Sequence, residues 1–310
     1  MDDGGLAIAR AVHLAATLFV CGALAFRCLA AAPAARAAAL AAPVAAALGV
    51  RLGAVVWTAL GAALLSGAAW LVLLSAEIGD VPPAEAVAEG LPAMVLAGTA
   101  FGQAWTARLV VLAVLAAVLA TAPRNAAADL ACAALGAAFA AGLAFAGHAA
   151  GSGDAVHLVS DMLHAVAAGA WLGALVPLVM LLGGVRRAGD AASAALAAEV
   201  TRRFSVLGVV SVAALLATGA VNTWEILGAD ALSAGAAYNR LLFLKIGLFF
   251  AMVAIAAFNR TRLMPRLAGD YDHGRALRLL QSTSLAETAL GVAIVAIVAV
   301  LGRMTPHALP

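Results

Sequence analysis

The sequence is poor in charge, in aromatic rings and in cysteine: 11% of its 310 residues are charged, 5% are Phe, Trp or Tyr, and three are Cys. So little charge cannot cover a water-soluble surface. The net charge of +2 comes from scattered arginines, with no basic stripe interleaved with aromatics, which excludes nucleic acid as a partner. Cys21, Cys28 and Cys132 all lie in apolar runs without CxxC spacing, so they form neither a disulfide framework nor a thiolate metal or redox motif. The P-loop, the Rossmann glycine pattern, the nucleophile elbow and HExxH are also missing. No ATPase segment and no enzyme is expected, and any transport must draw on a gradient or a partner protein.

What is present is apolar. Hydrophobic residues make up 65% of the chain and mean hydropathy is +1.05, which is membrane-protein usage. A helix needs about 20 apolar residues to cross the hydrocarbon core. That ruler gives eight spans, at 6–28, 51–75, 101–122, 128–147, 157–183, 204–227, 240–259 and 281–302. Only helices satisfy their own backbone within lipid, and no alternating strand pattern appears. The fold class is therefore all-α, a polytopic bundle of eight transmembrane helices forming a single domain over 1–310, with the lipid bilayer as its surroundings. The segment "CLAAAPAARA" offers small-residue cleavage sites, but Asp2 and Asp3 stand where a signal peptide carries basic residues. A retained first helix, anchored at Arg27, is expected instead.

Thirteen of the eighteen Lys and Arg flank alternate connections, the first, third, fifth and seventh. The remaining connections are neutral or acidic, above all "SAEIGDVPPAEAVAEG", a long loop able to cap the bundle. By the positive-inside rule both termini lie outside. The stretch "GHAAGSGDAVHLVSDMLH" then falls on the outer face, with His148 ending the fourth span and His157 and His164 opening the fifth.

A candidate parallel 4+4 repeat runs through the chain. "HLAATLFVCGAL" from His13 matches "HAVAAGAWLGAL" from His164 at an offset of 151, closing on Gly22-Ala23-Leu24 against Gly173-Ala174-Leu175. "SGA" at Ser66 matches "TGA" at Thr218 at an offset of 152, and Arg108 falls opposite Lys245. Four helices per half return the chain to the same side, so the pseudo-twofold axis lies along the membrane normal. His13 and His164 become equivalent, and they are expected to approach one another across the axis.

On the fifth span, His157, Asp161, His164 and Trp171 fall within a stripe about 80° wide, descending about 1.5 Å per residue. Imidazole ligates copper, zinc, iron and nickel, and a neighbouring carboxylate orients it or neutralises the ion. Histidines within a span usually face the bundle interior and serve a function. His273 and His307 read as surface residues. Glu225 and Lys245 are the expected structural ion pair. Glu287, toward the cytoplasmic side, either pairs with Arg260 or belongs to a proton or ion path.

"HLVSDMLHAVAAGAWLGALVPL", "TAFGQAWTARL", "RRFSVLGVVSVAALLATGAVNTW", "FNRTRLMP" and "LAETALG", in order on eight spans, resemble the copper resistance protein D (CopD) family of bacterial inner-membrane proteins. The chain departs from the family's Gly-Gly after the helix 5 tryptophan at Gly173-Ala174, a change that tightens packing. The resemblance implies copper homeostasis, with copper, as Cu(I) or Cu(II), moved from periplasm to cytoplasm, and a periplasmic CopC-type partner. It carries metal handling to His148, His157, Asp161 and His164, with His13 added through the repeat. The alternatives are a haem-binding redox protein with His13 and His164 as axial ligands, and a non-transporting copper sensor or assembly platform.

Overall fold

The computed structural model describes residues 3–37, 42–146, 154–228, 237–267 and 273–304. Eight helices are long and apolar enough to cross a membrane. They are α1 Gly4–Arg36, α2 Pro43–Gly79, α3 Ala100–Thr121, α4 Ala126–Ala146, α5 Ala155–Ala188, α6 Ala191–Leu227, α7 Ala237–Leu267 and α8 Gly274–Leu301. Each expected span is met by one of them, and no strand occurs among the described residues.

Six of the eight outrun the hydrophobic spans, and they do so at the arginine-rich connections. α6, for example, begins at Ala191, thirteen residues before its apolar run at 204. The ruler measures hydrocarbon, whereas these continuations are Ala-, Glu- and Arg-rich and form helix in water as well. In α6 Glu199 pairs with Arg202 at 2.8 Å and Arg203 at 2.6 Å, one turn away. Side-chain caps fix several helix starts: Thr99 for α3, Asn125 for α4, Asp154 for α5 and Asp190 for α6 each accept a first-turn backbone N–H.

α1 and α5 occupy the centre. α1 packs on α2, α4, α5 and α8, and α5 packs in addition on α2, α4, α6 and α8. The largest buried cluster joins Trp171, Leu175, Leu178 and Leu182 of α5 to Phe26, Phe204, Leu263 and Leu280. Where α1 meets α5 the backbones touch. A side chain at Gly22 would run into Gly169, Gly173 and Ala174, and one at Gly173 into the Leu18 carbonyl. Ala174 is fully buried there. Close backbone approach through small residues is how membrane helices gain dispersion contact without a hydrophobic driving force. The two Gly-Ala-Leu segments matched in sequence are thus the segments that meet. α5 passes through the crossing as a π-helical turn, Gly169–Gly173.

The long second connection folds into two short helices, Pro83–Ala88 and Leu91–Gly98, joined through Gly90 at φ 73°. Val95 packs into a cluster with Leu6, Ala9, Trp70 and Trp105, so this connection covers one end of α1, α2 and α3.

Candidate metal site

Asp154 Oδ1 accepts from the Val156 amide at 2.6 Å and the His157 amide at 3.4 Å, which sets where α5 begins and therefore the depth of each residue below it. His157 is buried within the first turn. One turn on, Ser160 Oγ donates to the Thr218 carbonyl of α6 at 3.2 Å, and Asp161 Oδ1 accepts from Asn222 Nδ2 at 3.1 Å. Lys245 and Tyr238 of α7 lie close enough to Asp161 for its charge to act on both. Asp161, and not Glu225, is the carboxylate facing Lys245. Glu225, near the end of α6, is exposed.

His164 Nδ1 lies 2.9 Å from Thr218 Oγ1, and Thr218 Oγ1 donates to the Ala214 carbonyl at 2.7 Å. A hydroxyl has one proton. With that proton spent on Ala214, the threonine offers His164 only a lone pair, so Nδ1 carries the hydrogen and Nε2 is left as the bare ligating nitrogen. This is the arrangement in which an outer partner fixes the tautomer of a metal-binding histidine.

His13 reaches the same tautomer by another route. Its Nδ1 lies 2.9 Å from the Ala63 carbonyl, which can only accept, and Nε2 has no protein partner. Its surroundings differ. Trp105, Trp70 and Phe139 stack around the ring at centroid distances of 4.9, 5.7 and 6.3 Å. Arg108 lies over Trp105 and Phe139, bonds Thr17 Oγ1 at 3.3 Å, and acts on His13 as the nearest charge. One turn away Arg10 lies over Trp70 and donates to the Gly302 carbonyl. A cavity of about 10 Å³, one water in size, separates His13 from Arg108.

The expected approach of His13 and His164 across the axis is therefore corrected. Their partners are disjoint, α2, α3 and α4 for one and α6 and α7 for the other. The reason is helical period. Gly22 and Gly173 each lie nine residues beyond the histidine of their helix, about half a turn around at 100° per residue. Helices that meet through those glycines must point the imidazoles away from each other. The same geometry removes them as the two axial ligands of one haem.

Of the sequence-predicted positions, the structure gathers His157, Asp161 and His164 along one side of α5 and sets His13 apart. His148 lies outside the described residues. Among the described residues no three His, Cys, Asp or Glu side chains converge as a ready metal-ligand group. Thr218, the partner of His164, was not anticipated from the sequence; the available signal was its match to Ser66. Glu287 accepts from Asn259 Nδ2 at 2.6 Å, while Arg260 bonds Ser205 instead.

Residues 1–158 match the family model described as copper resistance protein D-like, N-terminal domain, and residues 198–301 match that of copper resistance protein D. Copper resistance protein D of Pseudomonas syringae pv. tomato is 30% identical over 260 residues, covering 79% of this chain and 84% of that relative. The chain belongs to the copper resistance protein D family. Also similar are the inner membrane protein YebZ of Escherichia coli (strain K12), 30% identical over 49% of this chain and 50% of that one, and the copper transport protein CutJ of Bacillus subtilis (strain 168), 32% identical over 51% and 27%. No solved structure matches. As a copper resistance protein D family member with eight membrane-crossing helices, the chain is a multi-pass inner-membrane protein.

Proposed function

We propose that this protein moves copper across the inner membrane, from periplasm to cytoplasm, through its second half, and that it does so as a transporter and not as an enzyme. The supporting observation is the Thr218-fixed tautomer of His164, which leaves Nε2 bare one turn from Asp161 and Asn222. His157, joined by His148, takes the ion at the outer face, Asp161 offsets its charge, and His164 carries it inward. A row of one-imidazole steps holds an ion loosely enough to pass it on, as conduction requires.

The repeat supports placing the path in the second half. At the repeat offsets Asp161 corresponds to Arg10, Asn222 to Trp70 and Thr218 to Ser66. Around His164 a carboxylate, Asp161, offsets the ammonium of Lys245; around His13 there are two guanidiniums, Arg108 and Arg10. A cation favours the first environment over the second. Both termini and the capping connection then lie on the periplasmic side, where a CopC-type donor would deliver copper.

The test is copper uptake into proteoliposomes. His164→Ala is expected to lower uptake by at least about 10- to 100-fold, the usual cost of losing only an outer partner of a metal ligand, with an unchanged gel-filtration profile. Uptake at the wild-type rate would refute the path.

A further inference from the structure

Glu287 is not used by that path. It is 2% exposed in the middle of α8, and its carboxyl accepts one bond, from Asn259. Asn259 opens the π-helical turn Asn259–Leu263 of α7, and its own Oδ1 accepts from Thr283 Oγ1 at 2.7 Å. Single π turns often mark functional positions. This one turns Asn259 onto Glu287 and sends Arg260 toward α6, where it donates to Ser205 O and Oγ at 3.3 and 2.7 Å.

Glu287 lines a mostly apolar cavity of about 340 Å³ between α5, α6, α7 and α8, with its polar groups gathered around the carboxyl. Its polar lining also includes Asn259, Ser284 and Thr201, whose buried Oγ1 has no protein partner. Arg260 is the one other charged group in the lining; the facing residue of α5 is Trp171, and α6 contributes Thr201 and Ser205. Met264 adds a thioether. Trp171 continues the His157–His164 stripe seven residues on, about 10 Å deeper. The cavity therefore begins where the imidazole stripe ends.

An isolated carboxylate in apolar surroundings is unfavourable until a proton or a cation neutralises it. We infer that the cavity is an inward cation station, where Glu287 releases its proton toward the outer face as the copper ion arrives from His164 and takes a proton back from cytoplasmic water when the ion leaves, so that one proton moves outward for each ion moved inward. Oxygen ligands hold copper less tightly than imidazole does, with the Met264 thioether as the one soft donor. Such a site releases its ion readily. This inference rests on the copper-transport reading.

The experiment compares wild type, Glu287→Gln and Glu287→Asp, each full-length, for copper binding in detergent and for uptake into proteoliposomes loaded with a pH-sensitive dye, across a pH series. Glu287→Gln is expected to bind copper at the outer site as wild type does, to take it up at least about tenfold more slowly, and to lose both the copper-linked proton signal and the pH dependence of uptake. Glu287→Asp keeps a weaker proton signal and a shifted pH profile. Should the Gln variant fail to fold, Glu287→Asp decides alone. Uptake and pH profile equal to wild type in the folded variants would overturn the station and leave the transport reading standing. A wild-type protein that takes up no copper overturns both.

Discussion

At the residue scale the proposed path turns on a threonine. Thr218 is no ligand, yet its hydroxyl decides which nitrogen of His164 is bare. Thr218→Val would leave a buried Nδ1–H without an acceptor, a cost of about 1–3 kcal/mol, and release the ring to turn or change tautomer. Copper affinity, measured by chelator competition, is expected to fall about 10- to 100-fold, and Thr218→Ser is expected to restore it. His13→Ala, in the cationic half, should leave that affinity within about twofold, well under the loss expected at a second-shell partner. His157, Asp161 and His164 were legible as one face because 100° per residue is local arithmetic. Thr218 was not, because it lies 54 residues from His164 on another helix.

At the element scale, the α1–α5 crossing sets the orientation of both central helices. Gly173→Val would drive methyl groups into the Leu18 carbonyl. Overpacking of this kind costs about 1–3 kcal/mol, more where the obstacle is backbone, and is expected to appear as a lowered Tm in detergent. Gly219→Ala is the contrast. Its added Cβ would stand 3.7 Å from His164 Cε1, an ordinary contact, so stability should hold. The hydrophobic runs located the helices but understated their length, because hydropathy does not register the Ala- and Arg-rich turns that continue beyond the hydrocarbon.

At the scale of the whole molecule, the surroundings of the two central histidines differ in charge. The first surrounds its histidine with Arg108, Arg10 and tryptophans under a folded cap; the second surrounds its histidine with Asp161, Asn222 and Lys245 and continues into the Glu287 cavity. The arginine-rich connections orient this asymmetry in the bilayer. Alkaline phosphatase, which needs the oxidising periplasm for its disulfides, is expected to be active when fused after Met304 and inactive when fused after Leu267. The reverse pattern would invert the proposed direction of the path.

The sequence by itself determined the eight helices, the α5 stripe and the Gly-Ala-Leu pairs, because each depends on segment length, apolarity and helical period within a short stretch of chain. Only the tertiary structure decided which faces meet. The glycines of α1 and α5 approach one another, and half a turn away the histidines are forced into separate halves. Lys245 meets Asp161 instead of Glu225, Arg260 turns to Ser205, and Glu287 is left facing a cavity. Each of these outcomes follows from how closely the backbones can pack at small residues, a property of helix pairs that no single segment contains.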